Sequence, residues 1–295
     1  MTKPTIGFIG LGLMGSAMVS RLHDLDYAVT ITANRSRPRI DAAVERGAVE
    51  VGTAREVAMA SDIVMLCMDT SQSVEARMNG EDGVIAGLKP GAVVIDFGTS
   101  LPASTRALAE KVAAAGATML DGPLGRTPAQ AYDGLLNIMA SGDKPAFDKV
   151  KPVLDDLAEN VFYLGAVGSG HTVKLMNNFF GMTVANAMAE VFAMSDVAGV
   201  DRQQVYDVVS AGPLKSVMMD LVKAYGVDGN PEMLAFSIGN AAKDLGYYDQ
   251  MAKDAGVESQ LAAGPLTALQ TAAAEGQGDQ MVSQMVDYYA KKFSK

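Results

Sequence analysis

"GFIGLGLMGS", residues 7–16, sets Gly10, Gly12 and Gly15 directly behind the apolar run at residues 6–9. Met14, Met18 and Leu22 then recur at helical spacing, so the glycines fall in the turn between a strand and a helix. In that setting each glycine has a separate task. Gly10 allows the tight turn, Gly12 lets a pyrophosphate approach the backbone, and Gly15 lets the helix pack closely against the strand. The amides that open the helix, at Leu13 and Met14, meet the phosphates with the positive end of the helix dipole. The stretch therefore predicts a dinucleotide-binding βαβ unit.

Outward from this loop the first half alternates short β-type runs with helical stretches. "TIGFIG", "AVTITA", "DIVMLC", "AVVIDF", "ATMLD" and "LNIMAS" are separated by segments such as "ASTRALAEKVAAAG". The alternation predicts an α/β fold, a Rossmann-type doubly wound parallel sheet. After "VFYLG" at 161–165 the β-type runs stop and the rest reads as helix. We read a dinucleotide-binding domain over 1–165 and an all-helical substrate and oligomerisation domain over 166–295. A long interdomain helix at about 169–199 joins them. That helix is apolar but interrupted by Lys174, Asn177, Asn178, Asn186, Glu190 and Asp196, which fits a buried helix better than a membrane span.

Composition narrows the function classes. A formal charge of −10 over 295 residues argues against a nucleic-acid partner, which needs a clustered positive face. Met1-Thr2-Lys3-Pro4 runs within a few residues into the first strand, so no signal peptide is expected and the location is read as cytoplasmic. The one cysteine, Cys67, sits in "DIVMLCM" and reads as a buried strand residue. The two histidines do not form a ligand cluster with cysteines or carboxylates, so no metal is expected. His23 ends the first helix, and His171 reads as a cap or surface residue.

NAD-binding versions of the fold carry an acidic residue on the ribose at the end of the second strand, roughly 20 residues past the glycines. Here "AVTITA" is followed by Asn34, Arg35 and Ser36. Cations and hydrogen-bond donors in that place suit the 2′-phosphate of NADP(H), because a planar guanidinium grips phosphate through parallel hydrogen bonds. Further on, "GSGHTVKLMNN" places Lys174, Asn177 and Asn178 on one helical face. An ammonium there can donate a proton to a carbonyl oxygen as hydride arrives. "DGPLGRTPAQAYDG", just after a strand, offers the backbone of Gly125, the guanidinium of Arg126 and the hydroxyl of Thr127 as an anion receptor. Lys243-Asp244, standing alone, reads as an exposed ion pair.

"GFIGLGLMGSAM", "DFGTSLP", "DGPLGRTPAQAYDG", "GSGHTVKLMNN" and "KDLG" stand in the order and spacing of the β-hydroxyacid dehydrogenases, and essentially the whole chain resembles that family. The resemblance implies Lys174 as catalytic lysine and Asn178 as substrate-orienting asparagine. It places Thr99 beside the nicotinamide and Lys243 closing over the cofactor, with Met68 as a further cofactor contact. It also implies a small anionic carbonyl or hydroxy-acid substrate and a homodimer or homotetramer. The usual substrate loop of the family reads D-A-P-V-S-G-G, whereas Gly125-Arg126-Thr127 resembles the loop of sulfolactaldehyde reductases, which receives a sulfonate.

Two rival readings share the fold. An imine reductase has the same two-domain plan, NADP preference and an Asn-Arg-Ser-like turn, but generally lacks a lysine at the position of Lys174. A non-catalytic dinucleotide-binding module has no need of Lys174, Asn178 and Lys243 together.

Overall fold

The computed structural model of the chain describes residues 3–33 and 37–294. The first part of the chain runs β1 (Ile6–Ile9), α1 (Leu13–Asp24), β2 (Val29–Thr32), α2 (Arg37–Glu45), β3 (Val49–Val51), α3 (Ala54–Ala60), β4 (Ile63–Leu66), α4 (Ser71–Met78), α5 (Val84–Gly87) and β5 (Val93–Asp96). It continues with α6 (Pro102–Ala114), β6 (Thr118–Asp121), β7 (Leu124–Gly125), α7 (Pro128–Tyr132), β8 (Leu136–Gly142), α8 (Lys144–Leu157) and β9 (Ala158–Tyr163). Helices α9 (Ser169–Ala198), α10 (Arg202–Ser210), α11 (Val217–Gly226), α12 (Ile238–Asp254), α13 (Ala263–Ala272) and α14 (Met285–Phe293) follow. Contacts divide the chain into two compact units, Met1–Lys174 and Leu175–Lys295, and the division falls inside α9.

In the first unit the strand order is β3-β2-β1-β4-β5-β6-β8-β7, with β9 paired to β8. From β3 to β6 all pairs are parallel, the doubly wound order with its switch point between β1 and β4. Successive side chains of a strand point to opposite faces. On β4, Ile63 and Met65 join one apolar cluster with Ile6 and Phe8, while Val64 and Leu66 join another with Ile9 and Val94. Both faces of the sheet are therefore covered, which is why these strands read as unbroken apolar runs. Burying a side chain such as Phe8 fully contributes about 1.5–3 kcal/mol.

The sheet is not parallel throughout. β8 lies antiparallel to β6 through Leu120↔Gly142 and Asp121↔Ser141, and β7 lies antiparallel to β8. Strands β3 and β7, of three and two residues, are too short to carry an alternating pattern and leave no signal in the sequence.

In the second unit the later part of α9 turns Met182, Ala185, Met188, Ala189 and Phe192 into a cluster with Val222, Leu245, Leu269 and Met285. Gly226 ends α11 where an added Cβ would lie 2.7 Å from the Phe192 ring, so the helix and ring meet closely only because the residue is glycine. Phe180, Val191, Met194 and Val197 stay exposed on α9. Among the described residues no helix is long and apolar enough to cross a membrane.

Candidate functional site

The glycine loop joins β1 to α1, and its three glycines have different causes. Gly10 has φ +100°, and a Cβ there would lie 2.4 Å from the Cys67 carbonyl oxygen. At Gly15 a Cβ would lie 2.0 Å from the Gly10 carbonyl oxygen. Those two are explained by the chain itself. Gly12 is not, because its φ of −72° is open to any residue and, among the described residues, no atom beyond its chain neighbours lies within 4 Å of where a Cβ would sit. Gly12 opens α1 without a side-chain cap, the first turn carries no acidic residue, and Leu13 is exposed while Met14 is half-buried. Open space beside uncapped helix amides fits a diphosphate. The fit supports a dinucleotide held by this loop.

Met68 and Thr99 follow β4 and β5 on the same edge of the sheet, both half-buried. The Met68 sulfur lies 2.8 Å from the Cβ position of Gly10, so it borders the loop. Cys67 beside it is half-buried, and desolvation together with the charge of Asp96 pushes its thiol up to about 12, which removes it as a nucleophile at neutral pH. β2 ends at Thr32 without a carboxylate, and Asn34, Arg35 and Ser36 lie outside the described residues. Arg37, next along the chain, is engaged by Asp41 at 2.7 Å and by both carboxylate oxygens of Glu50 at 2.7 and 2.8 Å.

The start of α9 is pinned to the sheet. Asp121, at the end of β6 and fully buried, accepts from the amides of Gly168 at 2.7 Å and His171 at 2.8 Å and from the Ser141 hydroxyl at 2.5 Å. Ser141 in turn accepts from the Gly170 amide at 2.9 Å. The amides that open a helix have no partner within it, and here a carboxylate and a hydroxyl supply them. A Cβ on Gly170 would sit 2.1 Å from the Met139 carbonyl oxygen and 2.7 Å from Asp121 Oδ2, so only glycine permits this approach. His171 is consequently not a surface residue. It is fully buried, with Nδ1 2.8 Å from Thr105 Oγ1 and Nε2 facing Asp96 Oδ2 at 3.7 Å. Asp96 itself accepts from the Gly98 amide and the Ser100 hydroxyl.

Lys174 follows on the next turn of α9 and is half-buried; Asn177 is exposed and Asn178 is buried. Asn178 lies four positions after Lys174, so the two lie one above the other on the helix. In the second unit Asn178 Nδ2 donates to Asp244 Oδ2 at 2.6 Å, and Lys243 Nζ lies 3.0 Å from Asp244 Oδ1. Asp244 is only 2% exposed, so the expected exposed ion pair is instead a buried carboxylate joining both predicted residues.

Arg126 departs from expectation. It sits at φ +80°, a left-handed conformation that costs a residue with a Cβ about 1–2 kcal/mol. Its Nη1 donates to the Leu135 carbonyl oxygen at 2.6 Å, and its Nη2 pairs with Glu159 on β9. Thr127 caps α7, with its amide and hydroxyl both donating to Gln130 Oε1 at 3.1 Å. Gly125 is paired with Asn137 of β8. The guanidinium and hydroxyl expected to present themselves to an anion thus have partners inside the first unit.

A family model for the NAD-binding domain of 6-phosphogluconate dehydrogenase matches residues 5–165, and one for the NAD-binding region of NADP-dependent 3-hydroxyisobutyrate dehydrogenase matches residues 168–289. The chain belongs to the β-hydroxyacid dehydrogenase family. It is similar to a probable 3-hydroxyisobutyrate dehydrogenase-like protein of Arabidopsis thaliana, 31% identical over 82% of this chain and 77% of that one. The 2-(hydroxymethyl)glutarate dehydrogenase of Eubacterium barkeri is 30% identical over 92% and 88%. Among solved structures, a 3-hydroxyisobutyrate dehydrogenase from Salmonella typhimurium superposes with a TM-score of 0.82 at 28% identity, covering 97% of this chain and all of that one. Membership makes the chain an NAD(P)-dependent oxidoreductase and agrees with the Rossmann-type sheet followed by helices.

Proposed function

We propose that the chain interconverts a short β-hydroxy acid, or hydroxy sulfonate, with its aldehyde, using NADP(H) and Lys174 as general acid and base. The observation that carries this reading is the placement of Lys174 and Asn178 on one face of α9, immediately after a first turn whose amides Asp121 and Ser141 already satisfy. A lysine near the positive end of a helix is unfavourable, and the buried Asp121 carboxylate offsets that field. Catalysis gives the cost a purpose.

The residues proposed to hold the dinucleotide are Gly10, Gly12, Leu13, Met14, Gly15, Asn34, Arg35, Ser36, Met68, Thr99 and Lys243. When bound, its nicotinamide supplies or takes up the hydride. Lys174 Nζ then delivers a proton to the carbonyl oxygen in reduction and recovers it from the hydroxyl in oxidation. Asn178, with Asn177 before it, orients the substrate oxygen. Imine reductases of this plan generally lack a lysine at this position, so Lys174 favours carbonyl over imine substrates. The exposed apolar residues of α9 support a homo-oligomer, in which a second copy would cover them. The charge of −10 supports an enzyme without a nucleic-acid partner.

NADP(H) preference rests on the lack of a carboxylate after Thr32 and on Arg35. NADPH is expected to exceed NADH in kcat/KM, and Arg35→Ala to weaken NADPH selectively by about 1.5–3 kcal/mol, the worth of a charged hydrogen bond. Steady-state kinetics with both cofactors decide it; equal values in the unmodified enzyme would sink the assignment.

For the substrate anion, the Arg126–Glu159 pair has its carboxylate side chain 52% exposed. Such pairs are worth about 0–1 kcal/mol, so a substrate carboxylate or sulfonate can take the place of Glu159. Arg126→Ala should raise KM for acidic aldehydes and spare neutral ones of similar size, whereas Glu159→Gln should lower it. Succinic semialdehyde, glyoxylate, methylmalonate semialdehyde and sulfolactaldehyde form the assay panel. Equal losses for acidic and neutral aldehydes in Arg126→Ala would mean that the arginine only shapes its loop.

A further inference from the structure

Asp244 is a buried charged side chain of the helical unit that touches two residues of the proposed site. It is 2% exposed, and an ionised carboxylate so far from water must be paired and hydrogen-bonded to be tolerated. Lys243 Nζ meets Oδ1 at 3.0 Å, and Asn178 Nδ2 donates to Oδ2 at 2.6 Å. The second contact has a consequence for Asn178. An asparagine side chain has a donor end and an acceptor end of nearly the same shape, and its partners decide which way it faces. A carboxylate paired with an ammonium only accepts, so it draws the Nδ2 end of Asn178 toward α12. Asn178 Oδ1 is held from the other side by Asn177 Nδ2 at 3.2 Å. The amide is thereby fixed at both ends.

We propose that Asp244 is a positioning residue. It locks Asn178 with a neutral amide in the one orientation that offers its second Nδ2–H as a donor, and it anchors the ammonium of Lys243 beside it. The inference rests on the function proposed above, because it takes Asn178 as the residue that orients an anionic substrate. Residue 178 must then be an uncharged donor, and residue 244 the acceptor that aims it. A buried pair that only held α9 to α12 would have no such polarity. Exchanging its two members would serve equally well.

That difference is measurable with four proteins: the unmodified chain, Asp244→Asn, Asn178→Asp, and the exchange carrying both substitutions. Thermal midpoints and kcat/KM with NADPH and the best acidic aldehyde of the panel are read for each. Asp244→Asn is expected to lower kcat/KM at least about tenfold, the effect of losing a charged hydrogen bond. Asn178→Asp sets two carboxylates against each other and lowers the midpoint by roughly 4 °C or more. The exchange rebuilds the amide–carboxylate bond with its ends reversed. Its midpoint should return to within about 2 °C of the unmodified chain, while kcat/KM stays at least about tenfold down.

Recovery of both quantities by the exchange would overturn the proposal, because the pair would then be scaffold alone. So would a midpoint that the exchange leaves as low as the worse single variant, or an Asp244→Asn enzyme within twofold of the unmodified one. If the unmodified chain reduces no aldehyde of the panel with either nicotinamide cofactor, the functional reading falls and takes the positioning role with it. An active parent with an unaffected Asp244→Asn variant removes the positioning role alone.

Discussion

Lys174→Ala lowers kcat by roughly 10² to 10⁴ while leaving cofactor affinity nearly unchanged, the scale expected when a positioned general acid is removed. The separation of the two effects follows from where the groups sit. The cofactor loop is built on β1 and α1, with Met68 and Thr99 behind β4 and β5, whereas Lys174 belongs to the second turn of α9. Truncating it removes no residue of the glycine loop and leaves the Asp121 and Ser141 contacts to α9 in place. Lys174→Arg separates charge from proton transfer. A guanidinium keeps the positive charge but does not release a proton in the working range, so a true acid–base role leaves that variant nearly as slow as alanine. If arginine restores most of kcat, the residue acts through its field. If alanine keeps most of kcat, the proton comes from elsewhere and the reading of the site is wrong. Pre-steady-state measurement of NADPH oxidation isolates the chemical step from product release.

What the amino-acid sequence made legible was local. The strand, the three glycines and the helix after them occupy consecutive positions, so period and spacing alone placed them on β1, the loop and α1. Lys174 and Asn178 were legible for the same reason, being one turn apart on a helix that the structure also shows. What escaped depends on partners far along the chain. Asp244 looked like half of a surface pair because its neighbour Lys243 is visible in sequence and Asn178, 66 positions away, is not. His171 stands in a polar stretch, Gly-Ser-Gly-His-Thr, that reads as solvated; Gly170 lets that stretch approach Met139 so closely that the imidazole is buried. Arg126 reads as an available cation because nothing near it in sequence is acidic within reach, yet the sheet brings Glu159 of β9 beside it. A signal did exist for Asp121 and Asp96. Each ends an apolar strand in the middle of a sheet, where a carboxylate is costly unless something collects around it.

Asp121→Ala destabilises the protein by about 3–5 kcal/mol, the loss expected when one side of a buried charged network is removed. The carboxylate is fully buried and serves three donors, the amides of Gly168 and His171 and the hydroxyl of Ser141. An alanine leaves all three without that acceptor in a fully buried place, at about 1–3 kcal/mol for each unsatisfied group before relaxation. Relaxation is limited, because Gly170 lies so close to Met139 and Pro123 that the turn cannot shift inward, and β6 is fixed between β5 and β8. Asp121→Asn keeps one acceptor oxygen but points an amide at donors, so it should fall between alanine and the native residue. Ser141→Ala loses a hydroxyl that both donates to Asp121 and accepts from Gly170, and its cost should be smaller than that of Asp121→Ala because the carboxylate stays in place and keeps the amides of Gly168 and His171. Denaturant unfolding of the three variants gives the ranking, and amide hydrogen exchange at residues 168–172 locates it, since those amides should lose protection first. Protection unchanged there, with global stability within 1 kcal/mol of the native chain, would show that the start of α9 is held by apolar packing and that Asp121 is dispensable to it.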